Sequence, residues 1–183
     1  MSVAHARRRG KACVAGGTAI GDAAAMAGPD ADPDPTDAAA YINQHRGGWN
    51  QAMGLTFVRA SADECVAELT LGPQHLQPYG IVHGGVHTGI IEAACSTGAA
   101  VAAMARGQTV VGLENATSFI RAARGGVLRV NARPLTRGRR TQVWDATVTD
   151  ADGALLATGR VRLMCLDAGA AVAGQTAGIA PIE

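Results

Sequence analysis

His83-Gly84-Gly85-Val86-His87-Thr88-Gly89-Ile90-Ile91-Glu92 is the stretch that decides how this chain folds. It joins a glycine turn to an apolar segment that carries one carboxylate. From Gly84 to Met104 there is no proline and no charge other than Glu92. The spacing predicts one long helix there. Val86, Ile90, Ala93, Ala94, Thr97 and Val101 fall on one face. Gly85, Thr88, Gly89, Glu92, Cys95, Ser96 and Ala99 fall on a second face that is small and polar.

Charged residues are rarely buried without a partner. Glu92 is therefore either ion-paired to an arginine from a strand or kept in a cleft as a general base or nucleophile. Gly85, Gly89 and Ala99 are expected to leave room beside it, which favours the cleft. Ser96 lies one turn on, where its hydroxyl orients the carboxylate or a water, or simply packs. Thr88 lies one turn before. Gly84-Gly85 supplies backbone N–H groups at a helix N-terminus, which bind developing negative charge; a plain tight turn is the other reading. Gly84 and Glu92 are separated by about 12 Å along one helix. A single substrate carbonyl reaches both only if Glu92 comes from a second, antiparallel helix. The chain is thus expected to form a dimer with two equivalent composite sites.

Working outward, residues 1–36 are rich in Ala, Gly, Asp and Pro, lack apolar periodicity and read as a disordered extension. Arg7 to Ala27 loosely imitates a secretory signal, but Gly16, Gly17, Gly21 and Asp22 break its apolar part. Met26 reads as an alternative start. Asp37 is placed as the cap of a short helix through Arg46, ended by Gly47-Gly48, with Trp49 and Met53 packing it down. Strands are expected at 54–60, 65–71, 108–120, 127–135, 141–150 and 154–166. The order β-β-α-β-β-β-β makes an α+β domain over residues 37–167. In it an antiparallel sheet, a meander after the helix, wraps around one long central helix. Residues 168–183 read as a tail.

The sequence of 183 residues suits one domain, and at 3% aromatic its core is left to Ala, Val, Leu and Gly. A net charge of +1 argues against general nucleic-acid binding, and no apolar run is long enough to span a membrane. The four scattered cysteines suit a reducing, cytoplasmic setting. His83 and His87 have a zinc-like spacing, but His83 precedes the helix and only His75 and Glu92 are left to complete such a site, so no metal is expected. Cys95 lacks partners for a nucleophile and reads as core.

The stretch Gly80-Ile81-Val82-His83-Gly84-Gly85, followed by Glu92 nine residues after the histidine, resembles the hotdog-fold acyl-CoA thioesterases of the PaaI and 4-hydroxybenzoyl-CoA thioesterase group. The likeness runs on through Arg137-Gly138-Arg139-Arg140-Thr141-Gln142-Val143-Trp144. It implies a hotdog fold and homodimers that pair into tetramers. It implies hydrolysis of an aryl- or fatty-acyl-CoA with no cofactor, coenzyme A being part of the substrate. By the same resemblance Gln77 and the Gly84 amide hold the carbonyl, His83 shapes the loop, Ser96 replaces a family threonine, and Glu92 is the base or nucleophile. Gly85 and Thr88 line the substrate. A strand serine used by aspartate-bearing relatives would fall near Gly112 and is absent. Arg137, Arg139 and Arg140 form a cluster suited to the coenzyme A phosphates, or to a solvated hairpin tip. The rival expectations are a non-catalytic acyl-CoA-binding hotdog protein and a hotdog enoyl-CoA hydratase or dehydratase.

Overall fold

The structure, a computed structural model, describes residues 37–176. The expected disorder of 1–36, the alternative start at Met26 and the end of the tail lie outside the described residues. A short helix α1 (Ala39–Gln44) and a second, α2 (Gly48–Ala52), precede β1 (Thr56–Ala60) and β2 (Cys65–Thr70). A 3-10 turn (Pro73–His75) leads to the long helix α3 (Gly84–Met104). Then follow β3 (Thr109–Phe119), β4 (Val127–Arg137), β5 (Thr141–Thr149) and β6 (Leu155–Leu166).

The six strands form one sheet in the order β1-β2-β4-β5-β6-β3, with every neighbouring pair antiparallel. Helix α3 packs against its inner face, the hotdog arrangement. β4, β5 and β6 form the expected meander, but β3 does not join it through β4. It pairs with β6 at the far edge instead. Residues 120–126 make the crossing. The N–H groups of Ile120 and Arg121 bond the Leu156 carbonyl, and Val82 N–H bonds the Ala123 carbonyl. Arg124 clamps the carbonyls of Tyr79 and Gly80. The crossing therefore passes the N-terminal end of α3, and β4 is free to pair with β2.

Helix α3 has the predicted limits for local reasons. His83 is extended and its Nδ1 accepts from Gly85 N–H at 2.8 Å, capping the first turn. At the other end Gly107 takes φ +64°, a left-handed turn natural to glycine. Ile90, Ile91, Ala94, Cys95 and Ala99 are fully buried against the sheet, each large apolar side chain contributing about 1.5–3 kcal/mol. The approach is close because Gly98 meets the Trp144 indole, where a Cβ would stand 2.5 Å from the ring. Gln142, also fully buried, donates to the Ala99 carbonyl and accepts from Trp144 Nε1.

The N-terminal segment differs from expectation. Asp37 Oδ1 does accept from Ala39 N–H, and also from Ala60 N–H, so it ties α1 to β1. Gly48, at φ +54°, starts the separate helix α2 rather than ending the first one. Gly54, at φ +70°, is the turn before β1 and not part of it. The segment read as a featureless tail carries a small hairpin, β7 (Ala171–Val172) and β8 (Gln175–Thr176), because Ala173 and Gly174 both take positive φ at its tip. No helix among the described residues is long and apolar enough to cross a membrane.

Candidate active site

Glu92 sits midway along α3, half-buried. Its Oε1 accepts from Ser96 Oγ at 2.8 Å, and its Oε2 accepts from Asn115 Nδ2 at 3.2 Å. Both donors are neutral, so among the described residues the carboxylate is oriented without an ion pair. The arginines whose ion pairs are described pair with other acids, among them Arg133 with Glu64, Arg137 with Asp63 and Arg160 with Asp145. The ion-pair reading of Glu92 is thus not what the described residues build.

Asn115 was not legible in the sequence. It lies on β3, and the same Nδ2 also donates to the Thr88 carbonyl at 3.1 Å. Gly112, where a relative's serine was expected to be missing, does lie against Glu92: a Cβ there would stand 2.7 Å from Oε1. Positions 112 and 115 would point to opposite faces of a regular strand. A bulge removes the conflict, since Gly112 pairs with Leu163 and Glu114 with Arg162, leaving Leu113 as the extra residue. Gly112 and Asn115 then share the helix-facing side. The strand supplies its polar contact from Asn115.

The room expected beside Glu92 is partly filled. The Trp49 indole lies on Gly89, where a Cβ would be 2.3 Å from the ring. Gly85 faces the His83 imidazole, and Ala99 is buried toward the sheet. What remains open is a cleft of about 340 Å³ lined by Trp49, Asn50, Gly89, Glu92 and Ala93. Trp49 is therefore its aromatic wall and not, as expected, packing for the first helix.

Gly84 belongs to a different cleft. Gln77, Val82, Gly84, His87, Phe119 and Arg121 are among the residues that line it, in about 190 Å³. Of the two glycine amides, Gly85 N–H is taken by His83. Gly84 N–H has no acceptor among the described residues and stands at the positive end of the α3 dipole. The Phe119 ring covers Gly84 closely, with a Cβ there 2.8 Å from its tip. The chain thus brings Gln77 and Gly84 together, and Glu92 and Ser96 together, in separate clefts.

The arginine hairpin stands elsewhere. Gly138 and Arg139 offer their carbonyls to Arg106 and Gln108, just beyond the C-terminal end of α3, about 30 Å from Gly84 by helix length. Arg137 is bound to Asp63 and the Ala62 carbonyl, while Arg139 and Arg140 are exposed. Within the single chain Arg121, not this cluster, is the arginine of the Gly84 cleft. His75 is a satisfied core histidine: Nδ1 accepts from Gly72 N–H, and Nε2 reaches the Met53 carbonyl. Burial pushes the Cys95 thiol well up, with the Glu92 charge adding to it, as suits packing rather than attack.

Residues 79–157 match the Thioesterase superfamily. An esterase-named protein of Mycobacterium tuberculosis is 38% identical over 122 residues, covering 66% of this chain and 87% of that protein. Its solved structure superposes with a TM-score of 0.65 over 66% of this chain and 97% of that one. A 1,4-dihydroxy-2-naphthoyl-CoA hydrolase of Listeria monocytogenes is 30% identical over 113 residues, 62% of this chain and 91% of the relative. The structure of a thioesterase from Haemophilus influenzae gives a TM-score of 0.67 at 25% identity, over 70% and 90% of the two chains.

Proposed function

The chain belongs to the thioesterase superfamily, and on that premise we propose that it hydrolyses an acyl-CoA thioester to the free acid and coenzyme A. The observation that carries this reading is the Glu92 carboxylate. It is held by two neutral donors, faces an apolar cleft, and has no cation paired with it among the described residues.

Gln77 and the Gly84 amide hold the thioester oxygen, where the helix dipole favours negative charge. Glu92 then either takes a proton from an attacking water or attacks the carbonyl carbon itself to give an acyl anhydride that water opens. In both routes the thiolate of coenzyme A leaves and is protonated, and Glu92 is regenerated. Ser96 and Asn115 aim the carboxylate. The reaction needs no group beyond these residues and water.

The two clefts meet when a second copy docks. β3 is an eleven-residue edge strand, and an open edge of that length invites pairing. It carries Asn115, beside Glu92, and Phe119, over Gly84. Antiparallel pairing of two copies about Thr117 sets position 115 of one opposite 119 of the other. Each Glu92 is then next to the partner's Gly84 cleft. The Trp49 wall suits an aryl or fatty acyl group, and the Listeria relative named for an aryl-CoA favours the former. Exposed Arg139 and Arg140 are available to a phosphate only in a larger assembly, such as a dimer of dimers. The three described cysteines are free, as suits the cytoplasm.

The test is hydrolysis of a panel of aryl- and alkyl-CoA thioesters by the wild type and by Glu92→Gln. A loss of about 10²- to 10⁴-fold in kcat is expected for the variant. Undiminished hydrolysis by it would overturn the assignment.

A further inference from the structure

His87 is the one buried polar group of the Gly84 cleft to which the mechanism above gives no part. It is only 4% exposed, yet it lines that cleft with Gln77 and Gly84. Its Nδ1 is fully enclosed and has no partner among the described residues. Nε2 has no hydrogen-bond partner among the described residues either and is not one of the fully enclosed atoms, so it is the ring nitrogen open to the cleft.

Two features place this ring beside the Gly84 amide. Side chains on a helix lean back toward its N-terminus, over the residue three or four positions before. For His87 that is Gly84 and His83. The Phe119 ring supplies the second: it lies on Gly84 and stands 6.1 Å from the His87 ring, tilted by 39°. Gly84 and His87 thus flank one aromatic ring.

The proton can be placed as well. Burial lowers the pKa of His87, so the imidazole is neutral at pH 7. An enclosed N–H with no acceptor is rarer and costlier than an enclosed lone pair. We therefore assign the proton to Nε2, which makes the open nitrogen a donor.

We propose that His87 is a further catalytic residue, whose Nε2–H donates to the thioester oxygen alongside the Gly84 amide as negative charge develops there. The proton stays on Nε2 throughout, and His87 acts as a fixed electrophilic donor rather than an acid or base. The inference rests on the thioesterase reading of this cleft. It also gives a reason for keeping a polar side chain among Val82, Val86 and Ile90, where an apolar one would pack at less cost.

The experiment compares His87→Gln, His87→Asn and His87→Phe in the full chain, on an acyl-CoA that the wild type hydrolyses. Glutamine carries its amide nitrogen where Nε2 stood, asparagine where Nδ1 stood, and phenylalanine offers no donor. His87→Gln should keep kcat within about fivefold, while the other two lose about a hundredfold, the usual cost of one oxyanion donor. KM should stay near wild type in all three, and the thermal midpoint should not fall in any variant that folds. Equal kcat for the Gln and Asn variants, or wild-type kcat in His87→Phe, overturns the proposal. If the Phe variant does not fold, the Gln–Asn contrast decides alone. A wild type without thioester hydrolysis, or a fully active Glu92→Gln, sinks the underlying reading instead and the inference with it.

Discussion

Asn115 Nδ2 stands 3.2 Å from Glu92 Oε2 and 3.1 Å from the Thr88 carbonyl, so one strand amide fixes the acid to the turn before it. This contact reaches across 23 residues of sequence and depends on the bulge at Leu113.

Asn115→Ala should leave the carboxylate held by Ser96 alone. A hydrogen bond to a charged group contributes about 1.5–3 kcal/mol, so kcat should fall about ten- to a hundredfold with KM little changed. Steady-state kinetics decides it, and an unchanged kcat would show that Ser96 suffices.

Gly112→Ala probes the same acid from the other side. Its new methyl would sit 2.7 Å from Oε1 and must displace either the carboxylate or the strand. A loss of hydrolysis comparable to that of Asn115→Ala is expected, with the fold intact by circular dichroism. Full activity would mean that the position of Glu92 is not critical.

The composite site predicts complementation. Gly84→Val and Glu92→Gln chains should each be inactive alone. Co-expressed, they form mixed dimers in which one site has an intact Gly84 and an intact Glu92. With random pairing, activity should recover to about a quarter of wild type. A mixture as inactive as its components would place both groups in the same protomer's site.

Stability should depend on His87 in acid. Burial holds its pKa below the ordinary value of 6.5. The unfolded chain therefore binds this proton more readily than the folded one. The stability it contributes is intact above about 6.5 and is lost as pH falls through the folded value. His87→Gln should lose less stability than wild type on acidification from above that range to below it. Denaturant titrations at both pH values measure this, and parallel losses would contradict it.

The helix was legible in sequence because it is long, free of proline and free of charge but for one acid; its histidine cap and glycine stop emerged only in the structure. The pairing of Glu92 with Ser96 was legible because i, i+4 residues on a helix must meet. The strands were legible from alternation, but the partner of β3 was not, since nothing local to residues 120–126 announces a crossing. Asn115 was hidden by the bulge, which breaks the parity that strand reading relies on. Trp49 was misplaced because Gly48 was read as an end rather than a beginning. His87 stood in plain view, four residues after His83, but that spacing drew attention to metal rather than to the enclosed ring.

The placing of Trp49 on Gly89 has an optical consequence. The chain holds two tryptophans. Trp144 is fully buried and bonded to Gln142, whereas Trp49 is 43% exposed at the rim of the Glu92 cleft. Their emission should therefore separate into a blue component that is deaf to ligands and a redder one that acrylamide quenches. An acyl group entering beside Glu92 would shield the second and leave the first unchanged. The protein thus carries its own fluorescent gauge of site occupancy, with an internal reference built into its core.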